Sequence, residues 1–363
     1  MHQSQYKFVR HLAPALGVLC ALWSLQGLTQ QSSPDEWLDR MSNAVTTTNY
    51  EGTVIRHQRG ESEALKVAHK IVDGVVNERL ASQEGNGLEI IRIGDEVHCI
   101  LPDKKSVLVE SWNNQSTLFS ALPRNESAKT PQYDLSLVRE GRIAGRSAIM
   151  LAVRPHDEYR FGHRIWLDKE TAFPLKTSLV DSNGEVIEEI KFAEITIGDN
   201  IAAAALDPSI ELDSFTWYRE PDRYQSVDVA TDWECDDLPA GFRAISTKTE
   251  QMSEAEAPTT HIVYSDGIAS ISVFIATRSA EENGGWALVG TSNSYTAEID
   301  GFQVTAVGEV PGVTVQRIAS SVDVRTPMDI APITGGSLRI GGLIGCADKL
   351  PFSQRGEGRA DRC

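Results

Sequence analysis

From Tyr50 to Ile197, apolar and polar residues alternate in short runs broken by turn residues. A period of two puts alternate side chains on one face of a strand, so these runs read as half-buried strands. The first six are Tyr50 to His57, Ala64 to Val72, Val75 to Ser82, Leu88 to Ile93, Glu96 to Pro102 and Ser106 to Glu110. Arg59-Gly60, Asp73-Gly74, Gly85-Asn86-Gly87 and Gly94-Asp95 separate them, which is hairpin chemistry and predicts an antiparallel meander. The alternation lapses between Ser111 and Tyr133, a loop or short helix lying across the sheet. It resumes over Leu135 to Ile143, Arg146 to Pro155, Tyr159 to Leu167, Pro174 to Asp181 and Val186 to Ile197. Asn183-Gly184 joins the last two, a dipeptide that tolerates positive φ at both central positions.

Two segments follow a helical period instead. Trp37, Met41 and Val45 recur every four residues after Ser33-Pro34-Asp35-Glu36, a start with a capping residue, a proline and acids in the first turn. Near the far end, Val315, Ile318 and Val322 predict a closing helix over Val313 to Val322. Between the strand-rich regions, residues 199–223 read as a linker, with an Ala202–Ala205 run and Asp207-Pro208 and Glu220-Pro221 punctuation. A second strand set follows, with Leu238-Pro239-Ala240-Gly241-Phe242 as a turn entering a strand. His261 to Gly267 pairs with Ile271 to Ile275, and Ser292 to Ile299 with Phe302 to Gly308. The fold class is therefore α+β, mainly antiparallel β, in two sheet domains over 33–198 and 224–325, with an irregular Gly/Pro-rich tail over 326–363.

The leader changes the compartment. Lys7, Arg10 and His11 precede an apolar run from Leu12 to Leu28, then polar residues, so 1–30 has the layout of a signal peptide. A membrane anchor is the rival reading, and Pro14, Gly17 and Gln26 weigh against it. Export to an oxidising compartment makes pairing among Cys99, Cys235, Cys346 and Cys363 chemically allowed, without fixing which; Cys99 alternatively reads as a small buried hydrophobe. The 363 residues carry 34 Lys+Arg against 51 Asp+Glu, a net charge of −17. That balance excludes bulk nucleic-acid binding, which needs Lys and Arg to neutralise phosphates, and favours partners with basic faces.

Catalytic signatures are missing from the sequence. It has no Gly-x-Ser-x-Gly elbow, phosphate loop or Cys-x-x-Cys, and no enzyme activity or cofactor is expected. His156 and His163 flank six residues, a spacing too loose for a zinc site, so the segment reads as a solvated hairpin and no metal is expected. The positive signal is apolar. A curled antiparallel sheet with the loop residues Trp112, Leu118, Phe119 and Leu122 would enclose a greasy cavity, or the same residues would simply fill a core.

Several stretches resemble the periplasmic sigma-E regulatory proteins of the MucB/RseB family. They are Trp37-Leu38-Asp39-Arg40-Met41, Asn49-Tyr50-Glu51-Gly52-Thr53, Asp73 to Leu80, Gly94 to Pro102 and Gly141 to Arg146. Arg160 to Leu175, Leu238 to Phe242 and Tyr264-Ser265-Asp266-Gly267 complete the series, in the family's order. The resemblance implies an N-terminal domain similar to lipoprotein carriers, an unclosed β-barrel or half-barrel with helices across its mouth. It implies a binding switch: the periplasmic domain of a membrane anti-sigma factor is bound and protected from proteolysis. A lipid, lipoprotein or lipopolysaccharide signal then relieves the protection. The alternative is a periplasmic lipid or lipoprotein carrier. On that footing Trp112, Leu118, Phe119, Leu122 and Trp166 are chosen for the lipid cavity. Phe242, Tyr264 and Phe274 are chosen for the partner face, because aromatic anchors dominate many interfaces. Homo-oligomer formation is left open.

Overall fold

The structure is a computed structural model, and it describes residues 32–111, 118–119, 122–123, 131–219, 227–228, 231–250, 258–278 and 284–324. The expected signal peptide over 1–30, Trp112 and the tail over 326–363 lie outside these residues. The described residues from Pro34 onward form one compact unit. Among the described residues, no helix is long and apolar enough to cross a membrane.

Helix α1 (Pro34–Thr47) buries Trp37, Leu38, Met41 and Ala44, the face that the four-residue spacing predicts. It is followed by a meander of β1 (Tyr50–Gln58), β2 (Glu61–Val72), β3 (Val75–Ser82), β4 (Glu89–Ile93), β5 (Glu96–Leu101) and β6 (Ser106–Ser111). A second meander contains β7 (Tyr133–Ile143), β8 (Arg146–Pro155), β9 (Gly162–Asp168), β10 (Pro174–Val180) and β11 (Val186–Ile197). The two join where β1 pairs with β11, and β12 (Thr216–Arg219) adds to β6. The twelve strands form one sheet in the order β12-β6-β5-β4-β3-β2-β1-β11-β10-β9-β8-β7, antiparallel except for the parallel β12–β6 pair. Its end strands β7 and β12 are not neighbours, so the sheet curls without closing.

Turn chemistry sets much of this register. Asp73-Gly74 has φ of 51° and 79°, positive at both centres of the β2–β3 turn, whose backbone twist matches the flanking strands. The Asn183-Gly184 turn differs from expectation. Only Gly184 has positive φ. The Asp181 carboxylate accepts the backbone N–H groups of Asn183 (2.9 Å) and Glu185 (2.8 Å), so a side chain closes this turn.

The inner face of the sheet gathers Tyr50, Val54, Leu65, Val67, Leu80, Ile90, Cys99, Phe173 and Phe192 into the main core. Trp37, Leu38 and Met41 of α1 pack beside it on Ile149, Leu151, Ile165 and Leu167. Residues 199–219 do more than connect. Ile201 accepts a hydrogen bond from Lys70 (2.8 Å), and Ser209 N–H reaches Glu89 (3.1 Å). Ile210, Leu212 and Phe215 then cover Ile91, Ile100, Val107 and Val109 on the outer face. A segment expected as linker is thus a strap that ends in β12.

The second sheet has the order β13-β15-β16-β17-β20-β19-β18. Its strands are β13 (Val227–Asp228), β15 (Arg243–Glu250), β16 (Thr259–Ser265), β17 (Ser270–Thr277), β18 (Gly285–Val289), β19 (Ser292–Ile299) and β20 (Phe302–Gly308). Helix α2 (Gly312–Ala319) packs Val315 and Ile318 against Ile262, Ile271, Val273 and Val304. The predicted closing helix stops at Ala319, and Val322 opens the short strand β21 (Val322–Val324), paired with β14 (Trp233–Cys235).

Candidate functional site

Two places stand out as candidates: the inner face of the first sheet, and the junction between the two sheets.

At the inner face Phe119 joins Tyr50, Phe173 and Phe192, with ring centroids 6.5, 5.5 and 6.4 Å away. Tyr50 also stacks on the buried His69 at 5.1 Å. Among the described residues, a small space of about 30 Å³ is lined among others by Leu118, Phe119, Leu122, His163, Leu179 and Ile190. That is room for about one water and not for an acyl chain. The three described loop residues chosen for the cavity therefore come together on the main core as an apolar plug. A lipid would have to displace them.

Trp166 belongs to the same apolar cluster as Phe119 but does not line that small space. It lies three residues from His163 on β9, and successive side chains alternate, so it faces the other way. Its ring lies over Gly141, where an added Cβ would meet it at 2.8 Å, and Arg139 sits over the ring at 5.1 Å. A larger space of about 540 Å³ lies on the outer face between Glu51, Thr53, Lys66, Arg79, Glu194 and the strap residue Ala204. It is open and lined by charged groups, so it is unsuited to an acyl chain.

The aromatics chosen for a partner face are all buried. Phe242 and Tyr264 sit in the second core, and burial raises the Tyr264 phenol pKa. Phe274 points to the opposite face and stacks on His261 at 4.3 Å. In this conformation these rings hold the sheet together and none is a free anchor. Among the described residues, the exposed aromatics are Trp217, Tyr218 and Trp286, on the edge strands β12 and β18.

The junction was missed as a site, although its segments stood out individually. The expected strand Tyr159 to Leu167 begins only at Gly162, which leaves Tyr159 to Phe161 as a loop. Its Arg160 side chain is fully buried, and its Nε donates to Asp266 Oδ2 of the second sheet at 2.5 Å. Its other nitrogens donate to Asp157 and to the carbonyl of Ala240. The guanidinium lies over the Phe242 ring at 4.8 Å. Tyr133 OH donates to the same Asp266 oxygen at 2.7 Å. The other oxygen, Oδ1, accepts the N–H groups of Ile268 (2.9 Å) and Ala269 (2.8 Å), closing its own turn. Beside this, Arg317 of α2 donates to Tyr159 OH (2.5 Å) and pairs with Asp237, and Thr314 donates to the Tyr159 carbonyl (2.8 Å).

Arg160 is held in its charged form: the carboxylates of Asp266 and Asp157 outweigh the effect of burial and raise its pKa. His163 is held neutral, because burial lowers its pKa to about 4 against a weaker opposing pull from Asp266. The segment His156 to His163 is therefore no solvated hairpin. His156 is exposed beside Asp134 at 3.1 Å, while Arg160 and His163 face inward. Among the described residues, no group of three or more His, Cys, Asp or Glu could hold a metal.

Comparison with known proteins gives this arrangement a context. Residues 33–210 match the MucB/RseB N-terminal domain and residues 227–323 the MucB/RseB C-terminal domain. The Sigma factor AlgU regulatory protein MucB of Pseudomonas aeruginosa is 29% identical over 314 residues, covering 84% of this chain and 96% of that protein. The Sigma-E factor regulatory protein RseB of Escherichia coli is 24% identical over 298 residues, covering 78% and 89%. The crystal structure of MucB in complex with MucA(peri) superposes with a TM-score of 0.63 at 26% identity, over 81% of this chain and all of that one. The crystal structure of MucB gives 0.56 at 27% identity, over 82% and 99%. With both domains matched in order, this chain belongs to the MucB/RseB family.

Proposed function

We propose that the protein is a periplasmic negative regulator of an envelope-stress sigma factor, acting by binding and not by catalysis. It captures the periplasmic domain of a membrane anti-sigma factor and shields it from proteolysis, and a lipid-type signal releases the captured partner. The observation that carries this reading is the ordered match of both family domains, together with the likeness to MucB bound to MucA(peri). The N-terminal segment 1–30 serves as the export signal, the 33–198 domain as lipid sensor and the 224–325 domain as the main partner-binding part. An acidic chain of net charge −17 suits a partner segment with a basic face. The packing of Leu118, Phe119 and Leu122 onto the inner face favours a sensor over a carrier, because a carrier must hold an acyl chain in a standing cavity.

The test is reconstitution. Mature protein is mixed with the periplasmic domain of the anti-sigma factor from the same organism, and cleavage by the membrane protease that initiates its degradation is followed. Protection at stoichiometric protein, lost on adding an acylated amphiphile, is the expected result. Failure to bind the domain, or cleavage at the unprotected rate, overturns the reading. Phe119→Asp places a charge in the apolar plug and is expected to blunt the lipid response. A folded variant with an unchanged lipid response refutes the placement of the lipid site.

A further inference from the structure

The plug on the inner face and the ion pair at the junction are connected through one apolar cluster. Leu122 packs against the main core and also against the cluster beneath α1, made of Trp37, Leu38, Met41, Ile149, Leu151, Ile165 and Leu167. Ile268 of the second sheet packs against that same cluster. Ile268 belongs to the turn closed by Asp266 Oδ1, and the other oxygen of that carboxylate receives Arg160 and Tyr133. A single side chain therefore shapes the turn that seats Ile268 and anchors the second sheet to the first. The seat of Ile268 and the place of the carboxylate opposite Arg160 thus meet in one turn. Packed interiors respond to displacement by switching between arrangements, because they do not deform smoothly.

We propose that the cluster beneath α1 is the coupling element of the switch. Displacement of Phe119 and Leu122 by a ligand unseats Ile268, opens the Asp266–Arg160 clasp and so frees the two sheets from the arrangement that holds the partner. The inference rests on the regulatory reading above and supplies its internal route. The coupling is reciprocal: a partner that favours the clasped arrangement also opposes entry of the ligand.

The experiment uses the full mature chain and needs no ligand. Amide exchange is followed at Ile268 and Ala269, whose N–H groups donate to Asp266, with the amides of β19 and β20 as controls for folding. Leu122→Asp, which expels the side chain from the cluster, is expected to speed exchange at those two amides about tenfold while the controls keep wild-type protection. Leu122→Ala, the gentler variant, is expected to give about a threefold rise and decides the matter if the Asp variant does not fold. Unchanged exchange at Ile268 and Ala269 in the folded variant overturns the coupling. Affinity for the periplasmic domain of the anti-sigma factor is measured on the same samples. A loss of about tenfold in step with the exchange supports the switch, and wild-type affinity despite faster exchange overturns it. If the wild-type chain does not bind that domain, the regulatory reading fails, and the exchange rates still decide whether the plug and the clasp are coupled.

Discussion

Asp266→Asn is the sharpest perturbation of the junction. The wild-type carboxylate receives Arg160 Nε at 2.5 Å, Tyr133 OH at 2.7 Å, and the Ile268 and Ala269 amides at 2.9 and 2.8 Å. Asparagine keeps the volume and one good acceptor for the turn, so the change is electrostatic at first order. It leaves the Arg160 guanidinium, whose side chain has no exposed surface, with Asp157 as its remaining carboxylate. Removing one partner of a buried ion pair costs about 3–5 kcal/mol. Asp157 compensates in part, which puts the expected loss near the lower end, about 3 kcal/mol. Tyr133→Phe removes one hydrogen bond to a charged acceptor that keeps its other donors, and should cost about 1.5 kcal/mol. Arg160→Met alone should also cost about 3 kcal/mol, whereas Arg160→Met with Asp266→Asn should cost far less than the sum, giving a coupling energy of about 2 kcal/mol. Urea unfolding at neutral pH, followed by tryptophan fluorescence, measures all four variants. Stability of Asp266→Asn within about 1 kcal/mol of wild type, or additive single changes, would refute the assignment of the junction to this pair.

The neutral buried histidines set an acid limit. With a folded-state pKa of about 4 for His163 against about 6.5 unfolded, the unfolded chain binds the extra proton as pH falls. Stability present above pH ~6.5 is therefore lost progressively down to about pH 4, by roughly 3 kcal/mol, and burial of His69 acts in the same direction. His163→Leu should flatten that part of the stability–pH profile; an unchanged profile removes His163 as its source. Gly52→Ala would place a Cβ 2.3 Å from the Glu194 carbonyl beside the β1–β11 register shift, and a melting temperature lowered by several degrees is expected. Phe119→Ala should cost about 3 kcal/mol and open an apolar hole among the three remaining rings. Binding of a fluorescent fatty acid should then increase, and no increase would mean that the inner face does not accept acyl chains.

The strands that could be read in the sequence are those that pair apolar content with turn residues at both ends. Val75–Ser82, Arg146–Pro155 and Ser292–Ile299 fall where those signals place them, although Arg146–Pro155 is buried on both faces over its middle and so carries no strict alternation. Strand β12 escaped because all four of its residues are exposed, and β18 because Trp286, Ala287 and Leu288 are exposed in succession on an edge. Neither strand has a dry face to record. Tyr159 to Phe161 misled in the opposite sense. Aromatics flanking Arg160 mimic alternation, but Arg160 is satisfied by a carboxylate 106 residues away, and no local pattern encodes a contact of that separation. The family-like stretches Arg160 to Leu175, Leu238 to Phe242 and Tyr264 to Gly267 did mark the junction, since Arg160, Ala240, Phe242 and Asp266 meet there. What the sequence lacked was their mutual geometry.

That geometry raises the question of why two sheets should be joined through a buried charge at all. Well-packed apolar residues in place of a buried ion pair are often neutral or stabilising, so stability alone does not call for Arg160 and Asp266. An apolar contact tolerates sliding, whereas the Arg160 fork is satisfied only when Asp157, Ala240 and Asp266 are all in position. The pair therefore contributes orientation more than adhesion. Arg160→Met with Asp266→Asn, which keeps an acceptor for the Ile268 and Ala269 amides, separates the two: the expected outcome is a folded variant with a broader distribution of distances between spin labels on the two sheets and weaker capture of the anti-sigma domain. Stable variants that keep a single narrow distance distribution would show that apolar packing alone sets the arrangement, with the charge pair dispensable to it.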